Sequence, residues 1–130
     1  MRYICLVYHE ESRLNEMSEA ELAEHIAKCS AWVKELTRSG RHIFSAGLQS
    51  IQTAATVRLR NGRVCVTDGP FAETKEQLGG FTVLEARDLN EAIQAAALLD
   101  VVRIGTIEVR PLADPDLELG SALDRRLWRR

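Results

Sequence analysis

The chain has 130 residues, 45% of them hydrophobic and 28% charged, which suits one globular domain and is too short for two. A net charge of −2 supplies no positive field to collect nucleic acid, and no apolar run reaches the roughly 20 residues of a membrane span. Neither nucleic acid nor membrane is therefore an expected partner.

Residues 1–8 could pass for the start of a signal peptide, but the run ends at His9-Glu10-Glu11 without a small-residue cleavage site. It is predicted to be a strand, and the protein cytoplasmic. Tyr3, Cys5 and Val7 point one way along it and Ile4, Leu6 and Tyr8 the other, so both faces are apolar and both need cover. Ser18 and Glu21 then read as a capping box. The helix they open carries Leu22, Ile26, Cys29, Val33 and Leu36 at helical spacing and stops at Gly40. Residues 42–47 are predicted to form a second strand.

Asn61-Gly62 lies between two alternating runs, the strongest short-range hairpin signal. A two-residue turn pairs Arg60 with Arg63, Leu59 with Val64 and Val57 with Val66. One face of the hairpin is then apolar and the other basic, and Asp68 falls on the apolar, inward side. Arg58, Arg60 and Arg63 on the basic face read as charges guarding an edge, or as an acidic-partner surface. Residues 81–86 form a strand. Asp88 and Glu91 start a helix running to about Leu99, with Leu89, Ala92, Ile93 and Ala96 inward. Residues 106–110 form the last strand, closed by Pro111.

The order β-α-β, hairpin, β-α-β predicts an α+β fold: a ferredoxin-like, split βαβ protomer with an inserted β-hairpin. Two helices cover one face of such a sheet. The other apolar face requires a second subunit, so a homodimer, a dimeric α/β barrel, is expected. Residues 1–111 make the domain and residues 112–130 a tail or arm, in which Leu119, Leu123 and Leu127 recur at i+4 beside a basic cluster.

The run Asp68-Gly69-Pro70-Phe71-Ala72-Glu73-Thr74-Lys75-Glu76-Gln77-Leu78-Gly79-Gly80, with the closing Val109-Arg110-Pro111, resembles the signature of the DGPF branch of the YCII-related family. The resemblance covers roughly residues 1–111 and implies dimeric α/β barrels built from ferredoxin-like protomers. Some members are encoded beside, or fused to, extracytoplasmic-function sigma factors. Others look like lyases using a His–Asp pair, including a dehydrochlorinase of chlorinated aromatic breakdown. The nearest counterparts of that pair here are His25 and Asp100. His25 lies about one turn later than the pattern, and Asp100 precedes Val101 where the pattern has proline.

Two functional readings follow. In the first, the chain binds a small molecule or is a cofactor-independent, lyase-like acid–base enzyme. His25 and Asp68 are then its catalytic candidates, and Asp68, Phe71, Glu73, Thr74 and Lys75 form its ligand-binding rim near the subunit interface. In the second, it is a non-catalytic partner or sensor in sigma-factor-dependent transcription. Asp68 can equally close an Asx-turn on its own loop. Lys75 can equally be a surface ion pair. His25, flanking the helix's apolar stripe beside Leu22, Cys29 and Trp32, can equally be a packed residue. His9 and His42 have no motif context, and three isolated histidines predict no metal site.

Overall fold

The computed structural model describes residues 1–113. The chain runs through β1 (Arg2–His9), α1 (Glu11–Glu16), α2 (Glu19–Arg38), β2 (His42–Gly47), β3 (Ala55–Arg60), β4 (Arg63–Asp68), β5 (Gln77–Glu85), α3 (Leu89–Ala97) and β6 (Gly105–Pro111). Single 3₁₀ turns lie at Ile51–Thr53 and Asp100–Arg103. The main sheet has the order β2-β5-β1-β6, and every neighbouring pair is antiparallel. β1 and β2 run parallel with β5 between them, as do β5 and β6 around β1. This is the split βαβ arrangement, the protomer fold of the dimeric α/β-barrel class, and β1 is central as its two apolar faces require.

Local chemistry sets the element ends. Ser18 Oγ accepts from the Glu21 amide at 3.1 Å, and Asp88 Oδ1 from the Glu91 amide at 2.9 Å. After α2, Gly40 takes φ +74°, the Gly40 amide bonds Thr37 O and the Arg41 amide bonds Leu36 O, which is the Schellman termination. The hairpin turn has positive φ at both Asn61 and Gly62, and its register is the expected one: Arg60 with Arg63, Leu59 with Val64, Val57 with Val66.

The core lies on the helix side of the sheet. Tyr3, Cys5 and Leu84 pack against Trp32 and Leu36 of α2, against Ala92, Ala95 and Ala96 of α3, and against Leu99. The Trp32 indole donates to Ala95 O at 2.8 Å and ties the two helices together. The predicted inward stripes hold at Leu22, Cys29, Val33 and Leu36 of α2 and at Ala92 and Ala96 of α3, and fail at Ile26, Leu89 and Ile93. Ile26 is exposed and His25 is buried in its place, so the inward line of α2 runs His25, Cys29, Trp32, Leu36. In α3 the inward residues are Ala92, Ala95 and Ala96, while Leu89 and Ile93 stay outside. Small alanines let α3 lie close to Trp32, and that close approach, not side-chain hydrophobicity, selects the buried face.

The opposite face carries Ile4, Leu6 and Tyr8 of β1, Phe81 and Val83 of β5, and Phe44 of β2, whose ring sits 5.9 Å from that of Phe81. No described helix covers it. β3 and β4 form a separate two-stranded sheet, and its apolar face is open: Val57, Leu59, Val64 and Val66 are 63–70% exposed. Parity therefore did not turn Asp68 toward the protomer's core. The residue is exposed at the end of β4 because the hairpin packs on no core of its own chain. No described helix is long and apolar enough to cross a membrane. The tail and its leucine spacing lie outside the described residues.

Candidate functional site

The signature loop leaves β4 at Gly69, whose φ of +92° few side chains tolerate. The Gly69 amide bonds Ala54 O at 2.7 Å, Thr56 Oγ1 donates to Gly69 O at 2.8 Å, and Arg58 reaches Phe71 O at 3.3 Å. Farther on, Thr74 Oγ1 donates to Glu76 O at 2.6 Å and Gln77 Nε2 to Thr74 O at 2.6 Å. Across from the loop, Glu11 accepts from the Ile51 amide at 2.7 Å and from Ser50 Oγ at 2.8 Å, fixing the 3₁₀ turn. Between these walls is a cavity of about 490 Å³, lined by Tyr8, Leu48, Ile51, Phe71, Thr74 and Gln77 among others.

Two of the five rim candidates, Phe71 and Thr74, line that cavity. Asp68, Glu73 and Lys75 are exposed and stand outside its wall. The Asp68 carboxylate accepts no hydrogen bond from any described residue, so neither an Asx-turn nor a convergent charged pocket forms around it. Lys75 approaches Glu10 at 3.8 Å, both on the surface side of the loop. Tyr8 belongs to the face of β1 opposite Tyr3 and Cys5, so this cavity and His25 lie on different sides of the sheet.

On the helix side a second constellation forms. His25, two turns into α2, meets Asp100 at the start of the 3₁₀ turn after α3. His25 Nδ1 and Asp100 Oδ2 are 2.7 Å apart, and their side chains are only 9% and 11% exposed. Arg103, one turn beyond, holds the same carboxylate through two nitrogens at 3.1 and 3.4 Å, and Lys28 stands 3.8 Å from it. The Arg103 hydrogen bonds first, then that of His25, lower the Asp100 carboxyl to about 2. An ionised carboxylate only accepts, so Nδ1 carries the proton and Nε2 is the free nitrogen of the neutral ring. The atom facing Nε2 is Cys29 Sγ, 3.8 Å away.

Cys29 lines a cavity of about 250 Å³ between α2 and the sheet, with Trp32, Ser45, Thr82 and Leu99 on its other walls. Burial, and secondarily the Asp100 charge, raise the Cys29 thiol above its ordinary range. Ser45 Oγ and Thr82 Oγ1 are 2.8 Å apart, and His42 Nε2 lies 2.8 Å from Ser45 Oγ. Sequence reasoning missed the parts played by Arg103, Lys28 and Cys29. The signals were present: Cys29 lies four residues after His25 and Arg103 three after Asp100, spacings that put side chains together on a helix. Among the described residues no three His, Cys, Asp or Glu side chains form a set that could hold a metal ion.

A family model described as the YCII-related domain matches residues 1–115. An uncharacterised protein of Rhizobium meliloti (strain 1021) is 38% identical over 115 residues, spanning 87% of this chain and 93% of that one. Among solved structures, the chain resembles 5-chloro-2-hydroxyhydroquinone dehydrochlorinase (TftG) of Burkholderia phenoliruptrix AC1100, in complex with 2,5-dihydroxybenzoquinone. That match has a TM-score of 0.51 over 87% of this chain and 94% of the other at 12% identity, which speaks to the fold. The loop signature, the split βαβ sheet and these matches agree: the chain belongs to the YCII-related family.

Proposed function

We propose that this protein is a small-molecule enzyme of acid–base, lyase-like type, with His25 and Asp100 as its proton-transfer pair. The observation that carries the reading is the 2.7 Å contact between two nearly buried side chains, with the carboxylate held further by Arg103. Asp100 fixes the ring so that Nε2 is the base, and its charge stabilises the imidazolium formed when a proton arrives. A carbon or hydroxyl proton taken by Nε2 lets an adjacent leaving group depart with its bonding pair, which is an elimination. The structural neighbour, a dehydrochlorinase, supports that reaction class through the fold alone.

Asp68 contributes less to this reading, because its exposed carboxylate accepts no hydrogen bond from any described residue. The loop's Phe71 and Thr74 line the larger cavity, which lies across the sheet from His25, and are the candidates for a separate small-molecule site. The loop encloses a cavity instead of lying flat, which favours ligand binding over the sigma-factor reading. Pairing of two protomers belongs to the same proposal, through the apolar sheet face and the open face of the hairpin. The test is chloride release from chlorinated hydroxyhydroquinones. Acceleration by the wild type should fall about 10²–10⁴-fold in His25→Gln. Equal rates in the two proteins would remove the dyad from the reaction.

A further inference from the structure

His25 is not part of the wall of the 250 Å³ cavity, whereas Cys29 is, and Cys29 is the group that His25 Nε2 faces. The order in space runs from Arg103 and Lys28 on the outside, through Asp100 and His25, to the Cys29 sulfur at the cavity wall. We propose that Cys29 is the nucleophile of this site, acting on an α,β-unsaturated carbonyl compound small enough for the cavity. The inference rests on the His25–Asp100 pair being the proton-transfer unit.

The walls suit such a ligand. Val7, Trp32, Val33 and Leu99 offer apolar surface to a carbon skeleton. The Ser45 and Thr82 hydroxyls are hydrogen-bonded to each other, and with His42 donating to Ser45 the pair has one hydroxyl proton left to offer a carbonyl oxygen. Burial keeps Cys29 in its thiol form, so attack requires a base at the moment of reaction, as with a serine nucleophile. The Sγ proton moves to His25 Nε2 as sulfur forms its bond to the β-carbon. The π pair of the double bond shifts to the carbonyl oxygen as an enolate, where the free hydroxyl proton of the Ser45–Thr82 pair meets it. His25 then returns its proton to the α-carbon. The sum is addition of S–H across C=C, with no oxidant or further reactant.

N-Ethylmaleimide, an unsaturated imide, is the probe, and site-resolved mass spectrometry of the intact protein treated at pH 7 gives the rate at each cysteine. Cys65 is exposed and serves as the ordinary thiol, with N-acetylcysteine as a second reference. Cys5 is wholly buried and stays unmodified while the fold holds, so each variant carries its own folding control. Cys29 should react at least tenfold faster than Cys65, and His25→Gln should lower the Cys29 rate at least tenfold without moving that of Cys65. Asp100→Asn should lower it in the same direction. A wild-type Cys29 rate at or below that of Cys65, or one unchanged in His25→Gln, overturns the proposal. Cys29→Ser separates it from the acid–base reading: chloride release at the wild-type rate in that variant, with His25→Gln inactive, sinks the nucleophile and leaves the dyad.

Discussion

Asp100→Asn tests the electrostatics of the site without removing volume. The drop of the Asp100 carboxyl from the ordinary 3.8 to about 2 corresponds to about 2.4 kcal/mol, at about 1.36 kcal/mol per pH unit. That figure is an upper bound, because the Arg103 and Lys28 side chains are 57% and 53% exposed and water screens them. Discounted accordingly, the ionised carboxylate contributes about 1 kcal/mol, or roughly 3–5 °C in Tm for a domain of this size. The folded pKa is depressed, so the contribution is fully present above the unfolded value near 3.8 and is lost as pH falls through about 2. Urea midpoints of the two proteins, at one fixed concentration, should differ at neutral pH and converge between about pH 4 and 2. A second readout is the histidine tautomer by nitrogen NMR. Asparagine can donate to Nδ1, which lets the ring carry its proton on Nε2 instead. A stability gap absent at neutral pH, or one that persists undiminished at pH 2, would refute the assignment of Asp100 as an ionised acceptor.

The hairpin's open face predicts association: light scattering at micromolar concentration should give about twice 14.6 kDa. Val64→Asp, opposite Leu59, should weaken the dimer at least tenfold by burying a charge where about 1.5–3 kcal/mol of apolar burial stood; a wild-type mass of one protomer contradicts the pairing. Gly79 of β5 and Gly105 of β6, which flank the end of β1, give a paired test. A Cβ at Gly79 would stand 2.2 Å from His9 Nε2, and one at Gly105 would stand 2.2 Å from the Tyr8 carbonyl oxygen. Gly79→Ala should cost about 1–3 kcal/mol and be relieved by His9→Ala, whereas Gly105→Ala, pressed on backbone, should cost about 3 kcal/mol with no such relief. Chemical denaturation of the single and double variants decides it, and equal relief at both positions would refute the steric account.

Much of the architecture was legible because it depends on neighbours in sequence. Ser18, Asp88 and Gly40 place helix ends through hydrogen bonds that span three to five residues, and Asn61-Gly62 sets the hairpin register by backbone conformation alone. The two apolar faces of residues 2–8 announced a central strand, since only a strand between two others needs cover on both sides. The phase of α2 was legible at Leu22, Cys29, Val33 and Leu36 but not at Ile26, the more hydrophobic residue, which stays exposed while His25 turns inward to Asp100. The family pattern named His25 and Asp100 as a pair, but their contact was not readable from local sequence. His25 and Asp100 are 75 residues apart, and nothing local in either segment states that α2 and the turn after α3 will meet at 2.7 Å. Asp68 shows the converse, for its strand parity was read correctly while the face it shares met solvent instead of a core. Local hydrogen-bonding rules carry their information within one turn or one hairpin. Which side chains converge across the sheet depends on how closely α2, α3 and the strands approach, and that distance is set by the whole packed core.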